Sequence, residues 1–501
     1  MPALLLAAAD AILSDVEAQL AATGQTYKKL DLHEKLGEFL RLAADRMAMK
    51  LGGSFGQLRP HITDFISFGA SIYEPHHTLD VARRADTLGL LHAELHSVDL
   101  GGASTPAALE LARRIVQDEN RLVLLAASEV PRGGPGGIAY YREISDALLE
   151  KNTERHTQAN LISLYALLAD RLMFEHEIKQ VDIDAITAFF RKQAIGNERA
   201  SVFGKPLKPG ELERYLAGPY ATAMVAVATD HGAAFLVGNE KSLAELRLAG
   251  LNPSQPVLCI RGVGTHHAPK YLTERPNFES PAELAAERAF SRAHLKREDI
   301  DYAWVYDCFT LMLVRQAADY FHIKPHDAAK SLAEGFIEVS GRRVHINQQG
   351  GILNTQAAIS LSAATGLLDI LAFAEANPQC RHFLFGGNGG IDCTNSVALL
   401  SRDFADSAGD VVRAPDVNSI VPRAATAGET AALYAAVVVR FNPGSDVPFC
   451  LGCVRREDGT LFLARIYGHD LKPLTQLPEF SHDKTRVTLM IVDARPVAVL
   501  I

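Results

Sequence analysis

Apolar positions along this chain fall into two alternating rhythms, one near 3.6 residues and one made of short period-two or continuous runs. Glu34 to Lys50 and Thr105 to Gln117 carry the helical period, the latter with Pro106 in its first turn, and Thr78 to Leu88 is a shorter helix of the same kind. Ala18 to Gln25, His61 to Gly69, Leu90 to Leu100 and Arg121 to Val130 are predicted as strands, and Asp230 to Val237 as the strand that closes this first unit. The rhythm restarts at Gln255. Pro256 to Val263 is a predicted strand, Pro281 to His294 a helix, and Asp301 to Tyr306 a buried strand. Leu311 to Tyr320 and Thr355 to Ala374 follow as helices, then His382 to Phe385 and Ser396 to Leu400 as strands. Alternating strands and helices imply mostly parallel sheets layered with helices, and two such units imply a duplicated α/β architecture.

The pattern also divides the chain. Residues 1–130 form the first half, 131–220 a polar, helical insertion covering its face, 221–254 the end of that half, and 255–402 the second half. After Ser401 comes a charged, Pro-containing connector. Short β-rich runs then follow (Ala435 to Phe441, Leu461 to Ile466, Arg486 to Val492), separated by turn residues such as Asp458-Gly459. Residues 403–501 are therefore expected to make a small β domain of the sandwich or barrel kind. Leu90 to Leu100 alternates polar and apolar side chains, which suits a sheet edge, paired or solvated.

Composition narrows the function. With 501 residues the chain is long enough for two or three domains, and 48% apolar with 7% aromatic residues suits an α/β protein. A formal net charge of −9 argues against nucleic acid or an anionic membrane as main partner. The six cysteines form no disulfide framework, and Cys450-Leu451-Gly452-Cys453 lacks a second ligand pair, so it reads as strand rather than zinc site. His76-His77 and His266-His267 lack metal-ligand spacing, so no metal is expected. No apolar run reaches a membrane span, and Met1 to Ala9 has no basic leader, so the expected location is cytoplasmic. The loop Gly133 to Gly137 has no Gly-Lys-Ser/Thr after it and is not a phosphate loop.

Several segments carry a resemblance in the right order. They are Gly24-Gln25-Thr26, Ala107 to Ile115, Arg191 to Ala200, Asp230-His231-Gly232-Ala233-Ala234, Asp299 to Thr310 and Asn347 to Leu353. Together, over about residues 17 to 402, the chain resembles the thiolase superfamily, closest to the sterol-carrier-type thiolases and the thiolase-like aldolases. The resemblance places the nucleophilic cysteine at Gly102, which has no side chain. Ser104 stands nearby without an adjacent base. The activating histidine falls at Ala357 in Gln356-Ala357-Ala358, and the second catalytic cysteine near Gly386. Cys393 lies seven residues on, in a position expected to enter the last strand, so no thiol is expected in the cavity between the halves.

Where sterol-carrier-type thiolases have His-Asp-Cys-Phe, this chain has Tyr306-Asp307-Cys308-Phe309, and thiolase-like aldolases resemble it there. The resemblance implies an acyl-CoA as substrate or ligand, no covalently bound cofactor, and a homodimer or a partner protein. It implies Tyr306 as acid/base or oxygen donor, acting with Asp307. Backbone donors are expected at Gly350, Gly351, Gly386, Gly387, Asn388 and Gly389, and substrate contacts at Asn354 and Gln356. The leading expectation is non-covalent carbon–carbon cleavage of a β-hydroxyacyl-CoA. The alternatives are a non-catalytic acyl-CoA-binding scaffold and an acetyltransferase-like acyl transfer, with Ser104 as its nucleophile. A core tyrosine at 306 and an Asp307 capping the next helix are equally consistent with the residues.

Overall fold

The computed structural model describes residues 1–69, 79–134, 142, 144–405, 412, 420–441 and 447–501. The His76-His77 pair, the 135–137 end of the glycine loop and most of the connector lie outside them.

Ten strands of the main sheet build two copies of one unit. In the first half β1 (Leu4–Ile12), β2 (Asp64–Ser67), β3 (Glu94–Ser97), β4 (Val123–Glu129) and β7 (His231–Gly238) lie in the order β1-β7-β4-β2-β3. (β5, Tyr215–Ala217, and β6, Tyr220–Ala221, belong to the second sheet.) In the second half β8 (Leu258–His267), β9 (Tyr302–Trp304), β11 (Arg342–Ile346), β12 (His382–Gly389) and β13 (Thr394–Ser401) repeat it as β8-β13-β12-β9-β11. Strand β10 (Phe336–Val339) hairpins onto β11 as the eleventh. The halves join where Leu4 and Leu5 of β1 face Cys259 and Leu258 of β8.

The duplicated, helix-layered architecture is as expected, but the pairing is mixed rather than mostly parallel. In each half the second strand pairs in parallel with the third and fourth, while the last strand returns antiparallel between the first and fourth. Local readings also shift. Residues 18–25 lie largely in the helix Leu13–Ala22, whose Val16 and Leu20 bury one face four residues apart. The apolar start of the chain is the central strand β1, buried along its whole length. Of residues 90–100 only Glu94–Ser97 pair, at an exposed edge. Residues 355–358 are not helical, because Ala357 bridges to Ala228 and its N–H donates to Thr229 Oγ1 at 2.8 Å. The helix proper is Ala364–Ala376, entered through the 3-10 turn Ile359–Ala363. Ile359–Ala376 is, contrary to expectation, long and apolar enough to cross a membrane, yet 61% of it is buried as a core helix.

The insertion contributes the helices Leu161–His176 and Gln180–Ala194. Their apolar residues share one core with the helix Thr310–Phe321 and with the C-terminal domain. That domain is a barrel of β14 (Thr430–Val439), β15 (Phe449–Arg456), β16 (Leu461–Tyr467), β17 (Arg486–Val492) and β18 (Arg495–Leu500). The ring closes as β14-β15-β16-β18-β17-β14, with only β16–β18 parallel, the order of an OB-type barrel. Cys450 and Cys453 both lie on β15, three residues apart. They therefore face opposite sides, one toward the barrel core and one toward the core shared with the insertion.

Candidate active site

Strand β9 ends at Trp304, and Asn347 clamps the residue after it. Its Oδ1 accepts from the Val305 N–H at 2.9 Å and its Nδ2 donates to the Val305 carbonyl at 2.8 Å. The next two side chains diverge, one to each half. A Cβ built on Gly102 would fall on the Tyr306 hydroxyl and on the Asn388 carbonyl, so Tyr306 holds the volume a side chain at 102 would need. A Cβ on Gly351 would fall on the Asp307 carboxyl.

Tyr306 is 6% exposed. Burial, with Cys308, Asp307 and Glu129 around it, pushes its phenol well above 10, against a smaller opposing effect of the Ser362 hydroxyl. Tyr306 therefore keeps its proton near neutrality. It is built to donate a hydrogen bond, not to act as a base of lowered pKa. Asp307 is fully buried, and its Oδ1 accepts from the Ile352 N–H at 2.7 Å. It caps the short helix Gly351–Asn354 rather than Thr310–Phe321, whose start has no side-chain cap. Burial, partly offset by backbone N–H groups at Ile352 and Leu353, raises its carboxyl to about 7.

These groups meet at a cavity of 1240 Å³ lined by both halves and the insertion. Ile144, Leu148, Leu161, Ile162, Val225 and Val227 give it apolar walls, Tyr306, Asn388 and Ser362 its polar points, and His267 and Lys270 an exposed rim. Asn388 is 2% exposed and neither its amide oxygen nor its amide nitrogen has a hydrogen-bond partner. Beside it the Tyr165 hydroxyl donates to the Gly390 carbonyl at 2.6 Å.

Other expected site residues lie elsewhere. Ser104 is buried and does not line the cavity. Its Oγ donates to the Gly101 carbonyl at 2.6 Å and accepts from the Leu100 N–H at 2.8 Å, a structural turn with no base beside it. Gly350 and Gly351 are committed to close packing on Ala194 and Asp307, at φ +104 and +65. Gly386, Gly387 and Gly389 pack on Tyr320 and on the backbone of residues 100–103 within the β12–β13 ladder, so of these three none lines the cavity. Asn354 is tied to the insertion, its Oδ1 accepting from Arg191 Nε at 2.8 Å. Gln356 donates to the Arg199 carbonyl at 2.6 Å and lines a different, smaller cavity.

Two thiols do line the large cavity, contrary to expectation. Cys393 ends the turn between β12 and β13, directly before the last strand as expected, yet it lines the cavity, and its Sγ packs where a Cβ on Gly390 would go. Cys308 lies beside Tyr306, and burial pushes its thiol far up. The hairpin geometry that turns Cys393 inward leaves no mark in residue spacing. Nor did any periodic signal point to Tyr165 or to the side chain of Asn388. Among the described residues two carboxylate–histidine groups have metal-compatible spacing, Asp64/Glu94/His96 and Glu283/Glu287/His322. In the first, Arg121 Nη2 already bridges Asp64 and Glu94 at 2.7 and 2.8 Å, where a cation would sit.

Comparison with known proteins agrees with this architecture. Residues 264–402 match the thiolase C-terminal domain-like family. A 196-residue stretch is 26% identical to the 17-hydroxy-3-oxo-4-pregnene-20-carboxyl-CoA lyase of Mycobacterium tuberculosis (strain ATCC 25618 / H37Rv), 38% of this chain and 49% of that protein. The chain thus spans about half the length of the curated relative it matches. Among solved structures, a monomeric SCP2-thiolase like protein type 1 from Mycobacterium smegmatis superposes with a TM-score of 0.71 at 18% identity, covering 100% of this chain and 99% of the other. The Ltp2-ChsH2(DUF35) aldolase gives 0.60 at 17% identity over 80% of this chain and 97% of the other. Human mitochondrial 3-ketoacyl-CoA thiolase gives 0.55 at 12% identity over 80% and 98%. The repeated strand order and the similar solved structures show that this chain has a thiolase-like fold, and its second half matches the thiolase C-terminal domain-like family.

Proposed function

We propose that the protein cleaves a carbon–carbon bond of a β-hydroxyacyl-CoA with a bulky, apolar acyl group, without a covalent acyl-enzyme. One observation carries this reading: where the resemblance places a nucleophile there is Gly102, and the Tyr306 hydroxyl stands in its space on the cavity wall. A lyase and an aldolase among the similar proteins support the same chemistry, and the 1240 Å³ cavity suits a large apolar acyl group.

In such a retro-aldol step the β-hydroxyl O–H bond breaks as its carbon–oxygen double bond forms. The Cα–Cβ bond breaks, and its electron pair passes into the thioester enolate, which is then protonated at Cα. Tyr306, kept protonated by burial, donates to the thioester oxygen as negative charge builds there. The unpartnered Asn388 amide holds the β-oxygen. Asp99 and His267 line the same cavity and are the groups available to take the hydroxyl proton, and Lys270 at the rim suits the CoA phosphates. We read the exposed edge β3 as the surface that pairs with a second copy of the chain.

The two cavity thiols favour a second reading, acyl transfer through Cys393. Incubation with β-hydroxyacyl-CoA thioesters of increasing acyl size separates them. Cleavage that falls at least tenfold in Tyr306→Phe, about 1.4 kcal/mol of barrier, supports the lyase. Unchanged turnover removes Tyr306 from the reaction. An acyl adduct by intact mass, lost in Cys393→Ala, establishes acyl transfer, and CoA binding with no turnover leaves a scaffold.

A further inference from the structure

Behind the active-site wall lies a second cavity, of 280 Å³. One segment separates the two. Ile352 and Ala357 line the large cavity, while Gly351, Thr355 and Gln356 line the small one. The end of β9 is shared in the same way: Tyr306 faces the large cavity, Trp304 lines the small one, and their rings meet edge to face at 6.3 Å.

The small cavity contains two opposite polar groups that the protein leaves unsatisfied. Asp369 is 5% exposed; its Oδ1 has no hydrogen-bond partner, while the carboxyl meets the Tyr302 hydroxyl and its Oδ2 accepts a long 3.4 Å bond from the Gln349 N–H. Arg199 engages Asp10 at 2.5 Å and Asp15 at 3.0 Å through Nη2, but its buried Nε–H has no acceptor. Lys50 reaches the same cavity from the exposed end of its helix. A buried acceptor and a buried donor, both unpaired, are destabilising unless something fills the space between them. Burial also holds the Asp369 carboxyl up at about 7, and a bound cation would favour its charged form. None of these groups has a part in the cleavage proposed above.

We propose that this second cavity binds a short amino acid as a zwitterion, its ammonium on Asp369 and its carboxylate on Arg199 and Lys50. The opposite orphan atoms demand a ligand with a donor at one end and an acceptor at the other. The 280 Å³ volume, just below the usual range for drug-sized ligands, suits a small ligand of this kind.

The chain's single tryptophan, Trp304, lines this cavity, so tryptophan fluorescence excited at a wavelength that spares the tyrosines reads binding here, with the Asn388 variant as the control for the large cavity. The full-length protein is titrated with glycine, β-alanine and γ-aminobutyrate, with ethylamine and propionate as one-ended controls. The expected result is a saturable change with at least one amino acid and neither control. Its half-point should rise at least tenfold in Asp369→Asn and in Lys50→Gln, and stay unchanged in Asn388→Ala. Lys50 is exposed, so its variant decides the matter if the Asp369 variant fails to fold. The Asn388 variant acts on the large cavity, so a failed lyase reading leaves the result standing. No saturable change, an equal response to either control (ordered water only), or a response that survives the Lys50 substitution overturns the proposal.

Discussion

Two glycines in the two halves of this molecule make the same contact with opposite consequences. Gly102 meets Tyr306 and Gly351 meets Asp307, consecutive residues after β9 that point to different halves. At Gly102 the polar group stays on the wall of the large cavity. At Gly351 it is consumed, since Asp307 is fully buried and spends an oxygen on the Ile352 N–H. The lesson is that a glycine-rich loop does not of itself declare a ligand site. What fills the space beside the glycine decides whether the loop serves chemistry or packing.

The Gly351 side of the comparison should break hardest. Gly351 needs both a positive φ, +65, and the room that Asp307 occupies. Gly351→Ala combines left-handed strain with overpacking and should cost on the order of 2–5 kcal/mol, read as a lowered midpoint in chemical denaturation. The same contact gives a pH signature. The folded carboxyl of Asp307 titrates near 7 and its ordinary value is 3.8. Between those values the unfolded chain loses this proton while the folded chain keeps it, so the contribution present below pH about 4 is lost as pH rises to 7. Asp307→Asn should therefore gain stability relative to wild type across that window, with a constant difference above it. A difference that does not change with pH would separate Asp307 from its assigned state.

The Gly102 side should break more gently in folding and more sharply in function. Gly102→Ala overlaps both the Tyr306 hydroxyl and the Asn388 carbonyl, for about 1–3 kcal/mol. Because one of those is backbone, Gly102→Ala with Tyr306→Ala should not restore the midpoint beyond that of Tyr306→Ala alone. Full restoration would show that the tyrosine alone closes this position. Tyr306→Phe should leave the fold intact and lower turnover at least tenfold (about 1.4 kcal/mol of barrier or more), while Asp307→Asn, which lies outside the cavity lining, should leave turnover within twofold of wild type.

Much of this layout was legible one element at a time. The helix Leu32–Met49 was readable because Phe39, Leu40, Ala43 and Met47 recur on one face, and Asp31 and Glu34 form a capping box at its start. Strand β1 was not, because a strand buried on both faces has no alternation, and its uniform apolarity resembles any buried segment. At the site, the Tyr306 and Gly102 positions were visible as residues, but their contact joins two halves and belongs to tertiary packing. The glycines at 386, 387 and 389, expected to let the backbone approach a ligand, instead admit other parts of the protein. What approaches is the backbone of residues 100–103 and the Tyr320 ring, which composition does not encode. Cys393 stands at the entry to the last strand as expected, but that its side chain faces the cavity was not legible, because one residue of hairpin register decides which way it points.

Ser104 gives the smallest and most discriminating prediction about the same loop. Its hydroxyl links the Leu100 N–H to the Gly101 carbonyl and thereby fixes the turn that presents Gly102 to Tyr306. Ser104→Ala should cost about 1 kcal/mol of stability, the usual net value of such a bond plus the unpaired N–H it leaves. Turnover should fall only as far as the turn loosens, and Ser104→Gly, which frees the turn further, should fall below Ser104→Ala. A nucleophilic Ser104 gives a different pattern: both variants would abolish turnover equally, and an acyl adduct on the wild-type chain would disappear in each. The order of the two variants thus tells a residue that shapes the Gly102 turn from one that reacts within it.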